Sequence, residues 1–459
     1  MKTANRTIFL AGAALMITIT SAQARWNTFP RNGAKDFCVD TRLRISFEEP
    51  AGVGEKGTLR VYEAANGTVV DEIRMEPAPD LRTLKSGVPW PWKNTYGGQE
   101  YNYYPVITSG YDAEIELHSG KLEYGKEYYV LMDEGFLRSG GQVVAAIRDP
   151  NMWRFMVREK APQVRPEISV ASDGTGDFCT IQAAIDSVPE NSRNRTTIKL
   201  KAGTYREIVN IGKSKDMITI RGAGRDVTTV EYANCDMLNP GSGGRGMVQV
   251  RGKDFIIEDV TLHNLTPLGG SQAETIVVKT DRTILRNCSF FSYQDTVLLQ
   301  GRVFVSNCLI EGSVDFIWGS GAVYFENCEI RSAAAGYIVQ ARNDKETPGY
   351  IFVDCRLTAK PGVKDIWLAR TAGGKYPDAQ VAYINCIIGE HIRPAGWQVQ
   401  KEVENTIRFQ EYKSTTPAGK PVDVSQRHPV SRHLSDEEAA GLRDVKNVLG
   451  GKDDWDPRG

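Results

Sequence analysis

Asn-Cys recurs at 287–288, 307–308 and 327–328, each time inside an alternating apolar run: TILRNCSF, VFVSNCLI, VYFENCEI. ITIRG (218–222), FIIEDVTL (255–262), YIFVDCRL (350–357) and VAYINCII (381–388) follow the same frame. It reads apolar-x-apolar-x-Asn/Asp-Cys/Val-x-apolar, and from FIIEDVTL onward its spacings are 28, 20, 20, 27 and 31. Turns of constant core carrying loops of varying length are the signature of a parallel β-helix, where each coil covers the apolar face of its neighbours. Cys288, Cys308, Cys328, Cys355 and Cys386 then occupy one equivalent position per coil. A stacked ladder of small buried thiols is the simplest account of them, with a bridge between neighbouring coils as the alternative. Cys38, Cys179 and Cys235 have no assigned place, and no CxxC pair or His/Cys cluster supports a metal site.

The fold class expected is all-β: a right-handed parallel β-helix preceded by an Ig-like antiparallel β-sandwich. Residues 1–24 read as a signal peptide. Lys2 and Arg6 precede the apolar stretch Ile8 to Ile19, and Ala22-Gln23-Ala24 suits a cleavage site. Residues 25–162 form the sandwich, with short alternating strands (RLRISF, TLRVYEA, AEIELH, EYYVLM, WRFMV) between Gly-, Pro- and Asp-containing turns. Residues 163–459 form the solenoid. TIQAAIDSVPE has helical spacing and caps its open end, while Ser435-Asp436-Glu437-Glu438 opens an amphipathic helix running to about Leu449 along its outside. Within the first module, VPWPWKNTYGGQEYNYY (88–104) concentrates Trp90, Trp92, Tyr96, Tyr101, Tyr103 and Tyr104. Such a cluster is either a platform for sugar rings or an insertion packed against the next domain; the second is favoured.

A net charge of −1 gives no reason to expect nucleic acid or an anionic membrane as partner. After signal cleavage no membrane association is expected, and the protein is secreted or periplasmic. A monomer is expected.

Asp295 and Asp315 lie 20 residues apart, each eight residues after its Asn, so they share one frame on neighbouring coils. At about one inter-strand spacing, ~4.8 Å, two carboxylates do not both ionise cheaply. One then serves as an acid and the other as a nucleophile. Gln272 precedes Gln294 by 22 residues, again near one coil, and side-chain amides suit an oxyanion site because they donate without titrating. No Gly-x-Ser-x-Gly occurs, so a serine-histidine esterase of the α/β-hydrolase kind is unsupported.

Around this pair the chain resembles the pectin methylesterase (pectinesterase) family, in the form of a bacterial member with an extra N-terminal β-sandwich. SYQDTVL (292–298), GSVDFIWGSGAVYFENCEI (312–330), DGTGDFCTIQAAID (173–186), GTYRE (203–207), Ser271-Gln272-Ala273, PAGW (394–397), FQEY (409–412) and DDWDP (453–457) carry the resemblance, over roughly residues 167 to 459. It implies Asp315 as nucleophile, Asp295 as general acid and then base, and Gln294 and Gln272 as oxyanion donors. Arg370 would hold the nucleophile ionised, although counting coils does not bring it into register with Asp315. Trp318, Phe316, Tyr293 and Arg342 are the expected substrate-binding residues, and no cofactor or metal is implied. Two departures stand out: Leu368-Ala369-Arg370-Thr371-Ala372 replaces the family's Leu-Gly-Arg-Pro-Trp, and Glu274 stands where an apolar residue is usual. By strand alternation Glu274 shares a face with Gln272 and adds negative charge near the site. Trp318 either stacks on a sugar or packs in the wall.

The resemblance implies hydrolysis of methyl esters on galacturonate units of pectin, through a covalent acyl-enzyme, with release of methanol. The alternatives are a lyase or hydrolase acting on the same polymer, and a non-catalytic or altered-specificity polysaccharide-binding protein.

Overall fold

The structure is a computed structural model describing residues 26–84 and 88–458. The expected signal peptide lies outside the described residues.

The N-terminal part is built of antiparallel sheets. One runs Trp26–Phe29, Leu43–Phe47, Asp112–Ile115, Val106–Ser109; the other runs Ala34–Phe37, Arg154–Val157, Glu127–Met132, Thr58–Glu63, Val69–Arg74, with the first of its pairings parallel. Period-two alternation decides which side chains go inward: Leu43, Ile45 and Phe47 from one sheet meet Tyr128, Val130 and Met132 from the other in one core. The aromatic segment forms the hairpin Lys93–Tyr96/Gln99–Asn102 and its flanks. Trp90, Trp92, Tyr96, Tyr101 and Tyr103 are all buried, so the cluster is packing material and not an exposed sugar platform.

From Glu167–Val170 onward one strand per coil enters an 11-stranded sheet running to Arg432–His433, and the pairings along it are parallel. The Asn or Asp of each repeated motif sits at the bend out of this sheet: Asp259, Asn287, Asn307, Asn327, Asp354 and Asn385 have φ of 53–58°. Asn and Asp are the non-glycine residues that best tolerate the left-handed region, which explains their recurrence there. The following Cys points inward. The Sγ of Cys308 donates to the Leu285 carbonyl of the preceding coil at 3.5 Å, and all eight cysteines are buried free thiols. Phe325, Phe352 and Tyr383 stack along the interior with centroids 4.2 and 4.7 Å apart.

The helix Ile181–Ser187 caps the solenoid, with Thr180 accepting from the Ala183 amide at its N-terminus. The single helix expected after Ser435 is two. Asp436–Arg443 opens on a capping box, but Asp444 turns extended and caps a second helix, Val445–Leu449. An Asp side chain that captures the Lys446 amide competes with continuing the first helix. The two pack on Phe304, Tyr324, Ile351 and Ile384, on the outer face of the 11-stranded sheet.

Candidate active site

A second bend per coil carries the paired aspartates. Asp295 lies between Ser289–Phe291 and Val297–Gln300, and Asp315 lies within the long strand Leu309–Gly319. Both have left-handed backbone, φ 64° and 49°. The Asp295 amide donates to the Val314 carbonyl at 3.0 Å, and Gln294 and Val314 form a parallel bridge, so the two bends stack coil on coil. Left-handed Asp at two stacked bends is backbone strain of the kind that accumulates at functional sites.

The environments of the two carboxyls differ. Asp315, 5% exposed, is held by Arg370, whose Nε donates to Oδ1 at 2.7 Å and whose Nη2 donates to Oδ2. Gln340 Nε2 also donates to Oδ2, at 3.1 Å. Arg370 is thus in register with the site despite the coil count. Trp367–Arg370 pairs with Glu329–Ala341 (Val339 opposite Ala369), which pairs with Leu309–Gly319 (Ile317 opposite Val339). Coils that carry long loops after Ala341 and Ala359 break the count along the chain but not the stacking in space. Next to Arg370, Thr371 Oγ1 donates to Gln400 Oε1 at 3.1 Å.

Asp295, 8% exposed, receives one N–H, from Arg245 Nη2 to Oδ2 at 2.8 Å. Burial and the Glu274 charge push its pKa up to about 8; Asp315 adds to this, against the opposing pull of Arg245 and Arg342. Glu274 is fully buried and takes both Nε and Nη2 of Arg245, at 2.9–3.0 Å. Sequence reasoning placed Glu274 near the site but missed Arg245 and Gln340. Arg245 stands outside the repeated frame, in a loop; Gln340 stands two residues before Arg342 in a segment read only for its arginine.

Gln272 and Gln294 are both half-buried beside the pair. Gln272 Oε1 accepts from the Ser271 hydroxyl at 3.1 Å, which leaves its NH₂ as donor; the Gln294 amide has no partner among the described residues. Arg342 does not contact Asp315. It stacks over Trp318 at 4.4 Å and donates to Gln340 Oε1 at 2.8 Å, which orients the Gln340 NH₂ toward Asp315. Trp318 is 6% exposed and packs on Val277 and Leu298, with Arg245 5.6 Å from its ring. Tyr293 is half-buried at the bend, its carbonyl accepting from Ser313. Phe316, expected to touch substrate, does not: past the left-handed bend at Asp315 both Phe316 and Ile317 enter the solenoid core, fully buried.

The cavity of about 340 Å³ between the N-terminal sheets and the capping helix, lined by Arg42, Tyr96, Glu116, Gln182 and Glu207, lies elsewhere. Cys38, Asp40 and Cys179 bring ligand atoms within 4.8 Å of one another, and Arg158 donates to Cys38 Sγ at 3.3 Å.

An arrangement of this kind can combine nucleophilic attack and proton transfer at one centre: a carboxylate fixed by a guanidinium fork stands beside a carboxyl whose pKa burial raises, with amide donors alongside.

A family model described as Pectinesterase matches residues 167–451. Pectinesterase 31 of Arabidopsis thaliana is 35% identical over 287 residues, which cover 59% of this chain and 89% of that protein. Among solved structures, the pectin methylesterase from carrot aligns with a TM-score of 0.59 at 25% identity, over 64% of this chain and 95% of that one. The pectin methylesterase from Aspergillus niger aligns with a TM-score of 0.54 at 26% identity, over 64% and 96%. The family match begins at the first coil, and the antiparallel sheets stand before it.

Proposed function

The chain belongs to the pectinesterase family, and from that premise we propose how its residues hydrolyse the methyl esters of pectin. The observation that carries the reading is the unequal surroundings of the two stacked aspartates. Arg370 and Gln340 donate three hydrogen bonds to Asp315, whereas Asp295 receives a single N–H, from an arginine it shares with Glu274, and burial with the Glu274 charge pushes its pKa up to about 8.

Asp315 attacks the ester carbonyl carbon of a methylated galacturonate unit. The carbonyl oxygen takes up the charge and accepts from the amides of Gln272 and Gln294. As the C–O bond to the methoxy group breaks, Asp295 gives its proton to that oxygen and methanol leaves. This step yields an anhydride between Asp315 and the sugar carboxyl, with Asp295 now ionised. Asp295 then removes a proton from water, the hydroxide adds to the sugar carbonyl, and Asp315 departs as carboxylate. The pKa of about 8 suits both halves, since a group near the working pH serves as acid and then as base. Arg342 and Trp318 form the wall of the site, Arg342 orients Gln340, and Tyr293 borders the site.

Residues 25–162 act as an accessory domain of a bacterial, secreted or periplasmic enzyme that works as a monomer. Among the described residues no helix is long and apolar enough to cross a membrane. The test is methanol release from methylated pectin by wild type and Asp315→Ala. Release by the wild type and none by a folded variant is expected. A wild-type protein that binds pectin without releasing methanol, or that yields unsaturated products, overturns the reading.

A further inference from the structure

Arg245 is the one cation bonded to Asp295 among the described residues, and it faces three carboxyls: Glu274, Asp295 and, at 3.2 Å from Nη1, Asp236. Glu274 takes the Nε–Nη2 edge of the guanidinium, Asp236 accepts from Nη1, and the remaining Nη2 N–H goes to Asp295. An arginine free to pair fully with Asp295 would hold it ionised and abolish a general acid. An arginine already neutralised by Glu274 fixes the carboxyl in place without removing its proton. As a purely structural element the pair is poorly chosen, because a buried ion pair is generally no more stabilising than an apolar pair of the same volume.

Arg245 belongs to no strand. It sits in the connection between Thr228–Tyr232 and Val248–Val250, and what holds that connection is a relay of side-chain amides. Asn234 Nδ2 donates to the carbonyls of Gly244 and Gly246, on either side of Arg245, at 2.8 and 3.0 Å. Asn239 Nδ2 donates to Asn234 Oδ1 at 2.8 Å. Asn239 also exchanges hydrogen bonds with the backbone of Asn102, accepting from its N–H at 2.8 Å and donating to its carbonyl at 2.9 Å. Asn102 ends the aromatic hairpin, and Gln99 of the same hairpin donates to the Gly243 carbonyl at 3.0 Å. Buried Tyr101 and Trp92, at the ends of the hairpin, fix it in place. The hairpin therefore reaches the active site through Asn102, Asn239 and Asn234.

We propose that Arg245 and Glu274 are a positioning pair that anchors the Asp295 carboxyl while sparing its proton, and that the hairpin of the N-terminal module holds Arg245 in place. The proposal rests on Asp295 being the acid and base of ester hydrolysis. The charged groups facing Asp295 are Glu274, Asp315, Arg245 and Arg342, with Arg370 also within electrostatic reach; Glu274 in turn faces Arg245, Asp236 and Lys279.

Glu274→Gln keeps the shape and one acceptor oxygen for Arg245, loses the second, and frees the guanidinium charge for Asp295. In the full chain, the alkaline limb of kcat for methanol release is expected to move down by about one to two pH units, with KM unchanged. Asn239→Ala, which cuts the relay, is expected to lower kcat about tenfold with KM unchanged, a loss of the size that misplacing a catalytic group brings. Arg245→Met with Glu274→Val removes the pair together, so that no charge is left buried alone. It should stay folded by circular dichroism, lose kcat, and keep its alkaline limb at or above that of wild type. Asp295→Asn separates the two levels. If it is inactive while Glu274→Gln keeps the wild-type pH profile, the positioning role is wrong and the hydrolytic reading stands. If Asp295→Asn retains activity, the hydrolytic reading and the proposal fall together. A folded Asn239→Ala with wild-type kcat removes the hairpin from the proposal.

Discussion

Asp295→Asn removes a carboxyl that burial and the Glu274 charge push up to about 8. An acid with a folded pKa above its unfolded value binds its proton more tightly when folded. The stability linked to it is complete below the unfolded value of about 3.9 and is lost as pH rises toward 8. Between about pH 5 and pH 8 the slope approaches 1.4 kcal/mol per unit, at most about 4 kcal/mol in all. Glu274 lies buried against the same guanidinium and shares the proton demand, so about 2 kcal/mol is expected. Asparagine carries no such penalty and still accepts from Arg245. The gap between variant and wild type should therefore widen in the variant's favour by about 2 kcal/mol from pH 5 to pH 8, roughly 2 °C in Tm for a chain of this size. Without a proton donor, methanol release should fall by about 10²–10⁴. Thermal unfolding of both proteins across this pH range, beside the methanol assay, measures the effect. A gap that fails to widen with pH refutes the idea that the fold holds Asp295 protonated.

Arg370→Met removes two N–H donors from Asp315; with the guanidinium side chain 35% exposed, a loss of about 3 kcal/mol is expected. It should appear as roughly 10²-fold in kcat for methanol release, with a KM change under about twofold. Trp92→Ala deletes a buried ring and its bond to the Arg74 carbonyl. It should cost about 3–5 kcal/mol in denaturant unfolding of the N-terminal module while direct binding of pectin is retained, the opposite of a sugar platform. Cys308→Val should change stability by less than about 1.5 kcal/mol and leave activity equal with and without reductant. Inactivation of the wild type by reductant would count against a ladder of free thiols.

The solenoid was legible because its cause is local and repeated. Each coil needs a residue tolerant of left-handed backbone where the chain leaves the first sheet, and a small apolar one behind it. Asn-Cys supplies both in consecutive positions, as Asn307 at φ 54° and buried Cys308 show. The break of the last helix was not legible, because the apolar spacing of 436–449 continues through Asp444. Only the competition between its carboxylate and the helix backbone decides the matter. Phe316 was misread for a similar reason. Its place beside Asp315 suggested contact with substrate, yet the left-handed bend at Asp315 interrupts the alternation and sends both Phe316 and Ile317 into the core.

The active site divides along the same line. Repetition puts Asp295 and Asp315 at one bend of adjacent coils with the same left-handed backbone, so nothing in the repeat distinguishes them. Their difference has to come from what lies beyond the pair along the axis. Asp315 faces the coils that follow, and these supply Gln340 and Arg370. Asp295 faces the coils that precede, and these supply Glu274 and Arg245. One side donates three hydrogen bonds to its carboxylate; the other offers a single N–H from a cation already committed to a buried glutamate. In a stacked solenoid, periodicity brings two like groups together, and only residues outside the period can make one an acid and the other a nucleophile. Arg245 lies furthest outside it, in a connection held by a different module. Asn102, which precedes the family match, is bonded to Asn239 of that connection, and the proposed positioning role ties the chemistry of this coil pair to it.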